Sequence, residues 1–462
     1  MLFQNIQKIH FIGIGGIGMS GIAEILLNKD FTISGSDMAR SENTEHLESL
    51  GATIYYGHSA NNIAASNADV VVYSSAVHID TNPEVLEANR RKIPVIRRAE
   101  MLAEISRLNY CIAVSGTHGK TTTTSMLALM LIAAGIDPTV VVGGRLKDLG
   151  GTNARLGHSQ WSLVEADEYD RSFLQLLPTI AVINNIEAEH LDIYKDVADL
   201  QNTFAQFANM TPFYGFIATG IDDEGVQNVI PMLRKKVITF GLDNAADYTA
   251  KNIRFHNFTS TCEVYEYGQL LGEMTLNVPG EFNIKNALGA VLVARQFNVS
   301  FNLIAAVIER FHGAFRRFEI KGEVNDIIVI DDYAHHPSEI KATLKGLRNY
   351  ADRRIIAVFQ PHTYTRTKEF YKDFANSFAD AALAFVTDVY PAREEPLPGI
   401  TGQIIVDAAV EAGYKHFTYV PNRDALTEEL RKILRPKDVV ITLGAGNIYE
   451  VGERLLGDLS EL

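Results

Sequence analysis

A glycine-lysine-threonine loop contains the residues most able to carry chemistry. Gly116-Thr-His-Gly-Lys-Thr121 follows the apolar run Cys111 to Val114 and precedes a helix-forming stretch. A strand, a glycine turn and a helix start in this order can hold phosphates, because backbone amides and Lys120 face the phosphate oxygens and the Thr121 hydroxyl faces Mg²⁺. The strict Walker pattern has a glycine where Val114 stands, so this is a shorter variant. The context disfavours a chance match and predicts nucleoside-triphosphate binding.

Acidic and polar residues follow two later apolar runs. Leu163-Val164 leads into Glu165-Ala-Asp-Glu168-Tyr-Asp170, and a further strand leads into 184–192, which contains His190. Open α/β sheets bind ligands at the carboxyl ends of their strands, and Mg²⁺ prefers carboxylate oxygens. Taken alone, the first segment could equally be a solvated acidic loop, and His190 is more simply a structural or surface histidine. Beside a phosphate loop that needs a metal partner, both are candidate ligand segments.

A second glycine loop lies near the start of the chain. Gly13, Gly15 and Gly18 follow a predicted strand and precede a predicted helix, and Asp37 comes 19 residues after Gly18. This spacing is typical of dinucleotide binding, although any nucleotide diphosphate could use the same amides, and tight helix–strand packing without a ligand is the alternative. A nicotinamide-dependent dehydrogenase would explain this loop but would leave Lys120 without a task.

Three polar segments mark the last third of the chain: Arg316-Arg-Phe318, Asp331-Asp-Tyr-Ala-His-His-Pro337 and Gln360 to Arg366. The last two follow predicted strands. Adjacent histidines cannot share one face of a strand, so they predict a polar turn lining a cleft rather than a joint metal site. Arg366 suits an anionic substrate group, against the simpler interpretation of a surface arginine.

These segments require sheets to position them, and the chain repeats the strand–turn–helix order three times. We predict an α/β protein of three domains: an N-terminal Rossmann-like domain at 1–108, a central P-loop domain at 109–315 and a C-terminal Rossmann-like domain at 316–462. A length of 462 residues agrees with more than one hydrophobic core.

Composition excludes several classes of protein. The net charge of −14 argues against a nucleic-acid surface, so the basic pairs Arg97-Arg98 and Arg353-Arg354 are expected to be solvated. The two cysteines, Cys111 and Cys262, lack disulfide or zinc spacing. The longest apolar stretch, Met126 to Ile136, is about half of a membrane span. With no signal peptide expected, the sequence predicts a cytoplasmic protein without membrane insertion.

Long motifs in order identify the chain as similar to the Mur ligase family over essentially its whole length. They are Gly13-Ile-Gly-Gly-Ile-Gly-Met-Ser-Gly-Ile-Ala23, Gly35-Ser-Asp37, Gly116-Thr-His-Gly-Lys-Thr-Thr-Thr-Thr124, Glu165-Ala-Asp-Glu168, Asp331-Asp-Tyr-Ala-His-His-Pro337 and Gly444-Ala-Gly-Asn447. The resemblance implies a three-domain enzyme of peptidoglycan precursor synthesis, and hence of cell-wall biogenesis, cell shape and cell division. It implies that ATP activates the carboxylate of UDP-N-acetylmuramate as an acyl phosphate, which the amine of L-alanine attacks, releasing ADP and phosphate.

The resemblance also assigns roles to individual residues. The catalytic residues would be Lys120, Glu165, His190, His336 and Arg366, and the Mg²⁺ ligands would be Thr121, Glu165 and His190. The ATP-binding residues would be Gly116, Thr117, His118, Gly119, Lys120, Thr121, Thr122, Asn283, Asn286, Arg317 and Asp332. The UDP-sugar-binding residues would be Gly15, Gly16, Ile17, Gly18, Ser36, Asp37, Ser74 and Ser75.

Two positions depart from the family pattern, and alternatives stay open. Phe282 stands where a histidine is common in the adenine segment, and Thr363 stands where an arginine is common. A recycling ligase that attaches a preformed peptide to the same sugar nucleotide shares the phosphate loop but differs in the first glycine loop, which favours alanine as the substrate. A P-loop ATPase that hydrolyses nucleotide alone is the alternative outside the family. The sequence is compatible with a monomer or a homodimer.

Overall fold

The computed structural model describes residues 6–460 except 75, 108, 147, 148, 150, 189–192, 257, 351, 352 and 393, and the side chains at 349 and 350. The chain forms two compact units. One comprises Met1–Lys251, Val264–Gly272 and Lys285–Val307, and the other comprises Asn252–Glu263, Glu273–Ile284 and Ile308–Leu462. Among the residues that the structure describes, no helix is long and apolar enough to cross a bilayer.

The N-terminal domain is a parallel five-stranded sheet in the order β3-β2-β1-β4-β5. From β1 the chain first adds β2 and β3 on one side and then returns to add β4 and β5 on the other side. This reversal of strand order opens a crevice at the carboxyl end of β1. The elements are β1 (Lys8–Ile12), α1 (Ile17–Leu27), β2 (Thr32–Asp37), α2 (Glu42–Ser49), β3 (Thr53–Tyr56), α3 (Ala60–Ser66), β4 (Val70–Tyr73), α4 (Pro83–Arg90), β5 (Val95–Arg97) and α5 (Arg98–Ser106).

The central sheet has ten strands in the order β15-β14-β13-β12-β11-β10-β6-β9-β7-β8. Strand β6 lies between β9 and β10 and is parallel to both, so the carboxyl ends of these three strands share one edge. The elements are β6 (Tyr110–Ser115), α6 (Lys120–Ala133), β7 (Thr139–Leu146), β8 (Thr152–Arg155), β9 (Trp161–Glu165), β10 (Ile180–Ile183), α7 (Val197–Asn209), β11 (Phe216–Gly220), α8 (Glu224–Val229), β12 (Val237–Gly241), β13 (Tyr248–His256), β14 (Thr259–Glu266), β15 (Gln269–Leu276), α9 (Glu281–Gln296) and α10 (Phe301–Glu309).

The C-terminal domain has a six-stranded sheet in the order β16-β17-β21-β18-β19-β20. Only the pair β16–β17 is antiparallel. The elements are β16 (Glu319–Val324), β17 (Ile327–Asp332), α11 (Pro337–Tyr350), β18 (Arg354–Phe359), α12 (Tyr364–Ala375), β19 (Leu383–Val386), α13 (Gln403–Glu411), β20 (Phe417–Tyr419), α14 (Arg423–Ile433), β21 (Asp438–Leu443) and α15 (Tyr449–Ser460). The polar segments after β17, β18 and β21 therefore meet at one edge.

Three α/β domains, each built on a mainly parallel or mixed sheet, confirm the predicted fold class. The central strands are runs of Val, Ile and Ala buried on both faces, as in β6 and β18, because helices cover both sides. One expectation was wrong: the pair Arg353-Arg354 is not simply solvated. Arg354 forms two hydrogen bonds, of 2.9 and 2.6 Å, with the buried carboxylate of Asp438, and Arg353 pairs with Asp326 at 2.7 Å.

Candidate functional site

The phosphate loop joins β6 to α6, and glycines give it its shape. Gly116 and Gly119 have φ values of +136° and +78°, a region that side chains disfavour. A Cβ atom at Gly119 would lie 2.2 Å from Oδ1 of Asn286, so the amide of Asn286 packs directly on the loop. Helix α6 begins at Lys120, and Gly119 is its N-cap. Thr122 is buried in the first turn.

Residues after β10, which the sequence marked only as a candidate ligand segment, hold the phosphate loop in place. The backbone N–H of His118 donates to Asn185 Oδ1 at 2.7 Å, and the N–H of Thr117 donates to the Asn185 carbonyl at 3.1 Å. Asn184 donates to the Thr123 hydroxyl at 3.0 Å. His118 also lies 3.4 Å from a Glu187 oxygen through its Nε2. These bonds fix the backbone of the loop and occupy the N–H groups of Thr117 and His118, so these two amides serve the structure of the loop itself.

Lys120 is paired with Glu168 rather than extended into solvent. Its Nζ donates to both Glu168 oxygens, at 2.9 and 2.7 Å, and to the carbonyls of Gly116 and Thr117, at 2.7 and 3.2 Å. The Glu168 side chain is 1% exposed. A carboxylate buried this deeply needs a paired cation, because desolvation alone would make its charged form very unfavourable. The ammonium group is thus held at the mouth of the loop, with its charge balanced.

Thr121 contacts the other carboxylate of this segment, that of Glu165. Its hydroxyl lies 3.1 and 3.0 Å from the two Glu165 oxygens, and the backbone N–H of Gly143 in β7 donates to the same carboxylate at 2.7 Å. The structure therefore gives the two acids of the segment different partners. The oxygens of Glu165 and Thr121 lie close together, as the oxygen ligands of one Mg²⁺ ion must. Glu168 instead forms an ion pair with Lys120. His190, the third predicted ligand, lies outside the described residues.

The first glycine loop joins β1 to α1 at the crevice of the N-terminal sheet. The N–H of Gly15 donates to Asp37 Oδ2 at 2.8 Å, and Gly16 is the N-cap of α1. Ile17 and Gly18 are the first two helical residues, and N–H groups at these positions have no partner within the helix. These N–H groups lie at the N-terminal end of α1, where the helix dipole stabilises an anion. Ser74 lies against Gly13, and Ser75 is outside the described residues.

A buried polar network forms the floor of this loop. The carbonyl of Ser36 accepts the N–H groups of Gly13 and Ile14, while its hydroxyl donates to Glu84 at 2.8 Å. Glu84 is fully buried and also bonds His10 at 3.0 Å and Asn62 at 2.7 Å. Burial raises the pKa of Glu84, but the bonds from His10, Ser36 and Asn62 outweigh it and hold the pKa below its usual value. Ser36 therefore supports the loop, and its hydroxyl is committed to Glu84.

Arg98 contradicts the expectation that the pair Arg97-Arg98 is simply solvated. A Cβ atom at Gly18 would lie 3.2 Å from Arg98 Nη1, so the guanidinium covers the first turn of α1. Its other side faces Asp167, with 4.0 Å between Nη2 and a carboxylate oxygen. Arg97 points elsewhere, to Asp170 at 2.8 Å and to Tyr73 at 3.2 Å. A cation thus stands at the open end of the helix, and no motif predicted it.

Within the second unit, Asp332 ends β17 beside Arg317. Its oxygens accept the N–H groups of Ala334 at 2.7 Å and Phe318 at 3.0 Å. Burial raises the pKa of Asp332 to about 7, although the positive charge of Arg317 opposes the shift. Arg317 lies over the ring of Tyr333, 5.0 Å from its centroid. The two residues expected to hold ATP are therefore neighbours at this sheet edge.

The histidine turn and the start of α12 share the same edge. His336 Nδ1 lies 2.8 Å from the Ser338 hydroxyl, and its ring packs on Phe370. Burial, with a smaller contribution from the charge of Arg366, outweighs the opposing charge of Glu339 and holds the pKa of His335 well below its usual value. Arg366 is half-buried in the first turn of α12. The structure thus groups the residues predicted to orient the amino acid.

The two positions that depart from the family pattern have identifiable surroundings. Thr363, the N-cap of α12, has a φ of +66°, which is strained for a branched side chain, and its N–H donates to the Tyr390 carbonyl at 2.9 Å. Phe282 packs its ring over Gly280, where a Cβ atom would lie 2.3 Å from it. Its neighbour Asn283 donates to the Pro279 carbonyl at 2.6 Å.

The Gly444-Ala-Gly-Asn447 turn is held by an arginine that the sequence left without a role. Arg316 donates to the carbonyls of Gly444 and Gly446, at 2.6 and 2.8 Å, and to the carboxylate of Asp331 at 3.0 Å. Its guanidinium lies between the rings of Tyr333 and Tyr449. Arg316 therefore shapes this edge of the sheet rather than facing a ligand.

A phosphate loop with its lysine, threonine and carboxylates in place, on a parallel sheet edge, defines a nucleotide-binding α/β enzyme. Comparison with known proteins gives the particular family. The model of the Mur ligase family, catalytic domain, matches residues 8–110, the Mur ligase middle domain matches 114–294, and the Mur ligase, glutamate ligase domain, matches 316–446. The chain belongs to the Mur ligase family, and it is an ATP-dependent ligase.

Individual relatives cover the whole chain. The UDP-N-acetylmuramate–L-alanine ligase of Geotalea uraniireducens is 52% identical over 458 residues, 99% of each chain. That of Geobacter sulfurreducens is 48% identical over 462 residues, 100% of this chain and 99% of its own. Among solved structures, the UDP-N-acetylmuramate-alanine ligase of Thermotoga maritima has a TM-score of 0.83 and 29% identity, covering 98% of this chain and 99% of its own. A murein peptide ligase from Psychrobacter arcticus follows with 0.72 and 26%, at the same coverage.

Proposed function

We propose that this protein joins L-alanine to the carboxylate of UDP-N-acetylmuramate at the expense of ATP, in the synthesis of peptidoglycan precursors. The observation that carries the proposal is the full-length similarity to ligases of that name at about half identity, since a phosphate loop alone would fit any nucleotide hydrolase. A cytoplasmic location agrees with these substrates, two soluble nucleotides and a free amino acid.

The reaction takes two steps. A carboxylate oxygen of the sugar nucleotide attacks the γ-phosphorus of ATP, the bond to the β-phosphate oxygen breaks, and ADP leaves. The amine of alanine then attacks the acyl carbon, loses a proton, and expels inorganic phosphate to leave an amide. Lys120 offsets the charge on the transferring phosphoryl group, and the buried Glu168 keeps the ammonium group at that position.

The remaining roles are assigned by the family resemblance, and the contacts within each domain support them. Thr121 and Glu165, with their clustered oxygens, would hold Mg²⁺, together with His190. The ion would supply neutralisation of the negative charge on the phosphates of ATP. The first glycine loop would bind the UDP diphosphate at Ile17 and Gly18. Further ATP contacts are assigned to Asn283, Asn286, Arg317 and Asp332, and alanine and acyl-phosphate contacts to His336 and Arg366.

Phosphate release with varied acceptors tests the proposal. The purified protein should release phosphate from ATP only when UDP-N-acetylmuramate and an amino acid are both present, and fastest with L-alanine in comparison with L-serine and glycine. Release with the tripeptide but with none of the single amino acids would assign the protein as the recycling ligase instead. Release from ATP alone, at the same rate, would make it a simple ATPase.

A further inference from the structure

Strand β7 contacts both the candidate metal ligand Glu165 of the central sheet and helix α2 of the N-terminal domain. The backbone N–H of Gly143 donates to Glu165, the candidate metal ligand, at 2.7 Å. Arg145 lies two residues further along the same strand, in the irregular stretch between Val141 and Leu146. Arg145 belongs to no sequence motif, and it has no assigned role in the proposed reaction.

Arg145 crosses from the central domain to helix α2 of the N-terminal domain. Its Nε and Nη2 donate to Asn43 Oδ1 at 3.2 and 2.7 Å, and its Nη1 pairs with Glu42. The Asn43 amide nitrogen in turn donates to the carbonyl of Gly15 at 2.7 Å. A carboxamide has one oxygen and one NH₂ group, so a cation on the oxygen turns the NH₂ group towards Gly15.

The hydrogen bond from Asn43 to the Gly15 carbonyl fixes the orientation of the peptide group between Gly15 and Gly16 in the first glycine loop. With this carbonyl turned towards Asn43, the following N–H groups of Ile17 and Gly18 remain at the open end of α1, where an anion binds. The ion pair with Glu42 adds little by itself, because the Glu42 side chain is 82% exposed and water screens the pair. The bonds to Asn43 are therefore the functional part of the contact.

We propose that Arg145 is a positioning residue for the sugar nucleotide: acting through Asn43, it fixes the diphosphate loop relative to the strand that holds Glu165. The muramoyl carboxylate is thereby placed against the phosphoryl group that it attacks. This inference rests on the function proposed above, and its test is arranged so that each can fail separately.

Calorimetric titration of UDP-N-acetylmuramate, without ATP, measures the first consequence. Arg145→Ala and Asn43→Ala should each weaken binding about five- to tenfold, and the double variant should be no weaker than either single one, because the two residues act in series. Glu42→Gln, which removes the screened ion pair, and Arg155→Ala, which removes an arginine of the neighbouring strand β8 that pairs with Asp137, should stay within twofold of wild type.

Steady-state kinetics supply a readout that a purely structural role would not change. Arg145→Ala should lower kcat several-fold at saturating substrates with an unchanged KM for ATP, and Arg145→Lys should recover part of the loss. Unaltered binding by Arg145→Ala, or single effects that multiply in the double variant, would overturn the inference. If Arg145→Ala does not fold, Arg145→Lys and Asn43→Ala decide the same question. Failure of the wild-type protein to bind the sugar nucleotide would instead refute the proposed function.

Discussion

Replacing Gly143 with alanine should disable the ligase without unfolding it. A Cβ atom at this position would lie 2.7 Å from both Glu165 oxygens and 2.9 Å from their carbon, whereas ordinary contact begins at 3.4 Å. The carboxylate must therefore move by about 0.7 Å. Since a displacement of about 1 Å in a catalytic group costs about 10²-fold in rate, we expect kcat to fall about 30- to 100-fold.

The assay is phosphate release with saturating ATP, UDP-N-acetylmuramate and L-alanine, repeated over a series of Mg²⁺ concentrations. The displaced carboxylate should also raise the Mg²⁺ concentration needed for half-maximal rate. The melting temperature should change little, because Gly143 is exposed and its φ is not in the left-handed region.

Gly457→Ala is the matched control. Nothing lies within 4 Å of a Cβ atom there, and the residue is exposed in α15. It should leave the rate unchanged and stabilise the protein by about 0.5–1 kcal/mol through the higher helix propensity of alanine. A Gly143→Ala enzyme within twofold of wild type at every Mg²⁺ concentration would show that Glu165 does not act at the position the structure gives it.

Three further outcomes are expected. Lys120→Ala should abolish phosphate release while the protein stays folded, a loss of several kcal/mol in transition-state stabilisation; near-normal turnover would remove the central claim. Arg98→Ala should weaken UDP binding about tenfold in calorimetry and Arg97→Ala less than twofold, because only Arg98 covers Gly18; equal effects would contradict this placement. Burial raises the pKa of the Cys111 and Cys262 thiols to about 12, so neither should react with a thiol reagent at pH 8 until the protein is denatured, and rapid labelling of the native protein would refute their burial.

Local signals made the fold class and the phosphate loop predictable. Strand, glycine turn and helix follow one another within about 20 residues, so the loop after β6 and the acids after β9 could be placed on one sheet edge from the sequence. Without the family resemblance, the sequence could not tell Glu165 from Glu168, because only two residues lie between them on an irregular segment. The contacts of Thr121 and Lys120 separate them in the structure.

Contacts between distant segments explain what the sequence missed. Asn43 and Arg145 are 102 residues apart, and Arg98 meets Gly18 across the N-terminal domain. Neither arginine belongs to a motif, so an ordinary solvated side chain was the natural expectation. One signal was available: a glycine inside a strand, as at Gly143, often marks the close approach of another group.

The buried network beneath the first glycine loop limits how this loop can change over time. The Glu84 carboxylate bonds the buried side chains of His10, Ser36 and Asn62, so replacing Glu84 removes a partner from all three, at a cost of about 1–3 kcal/mol for each stranded group. Remodelling the floor of the loop needs several simultaneous replacements. A single mutation of Glu84 that alters the loop from beneath would therefore carry a cost in the stability of the domain.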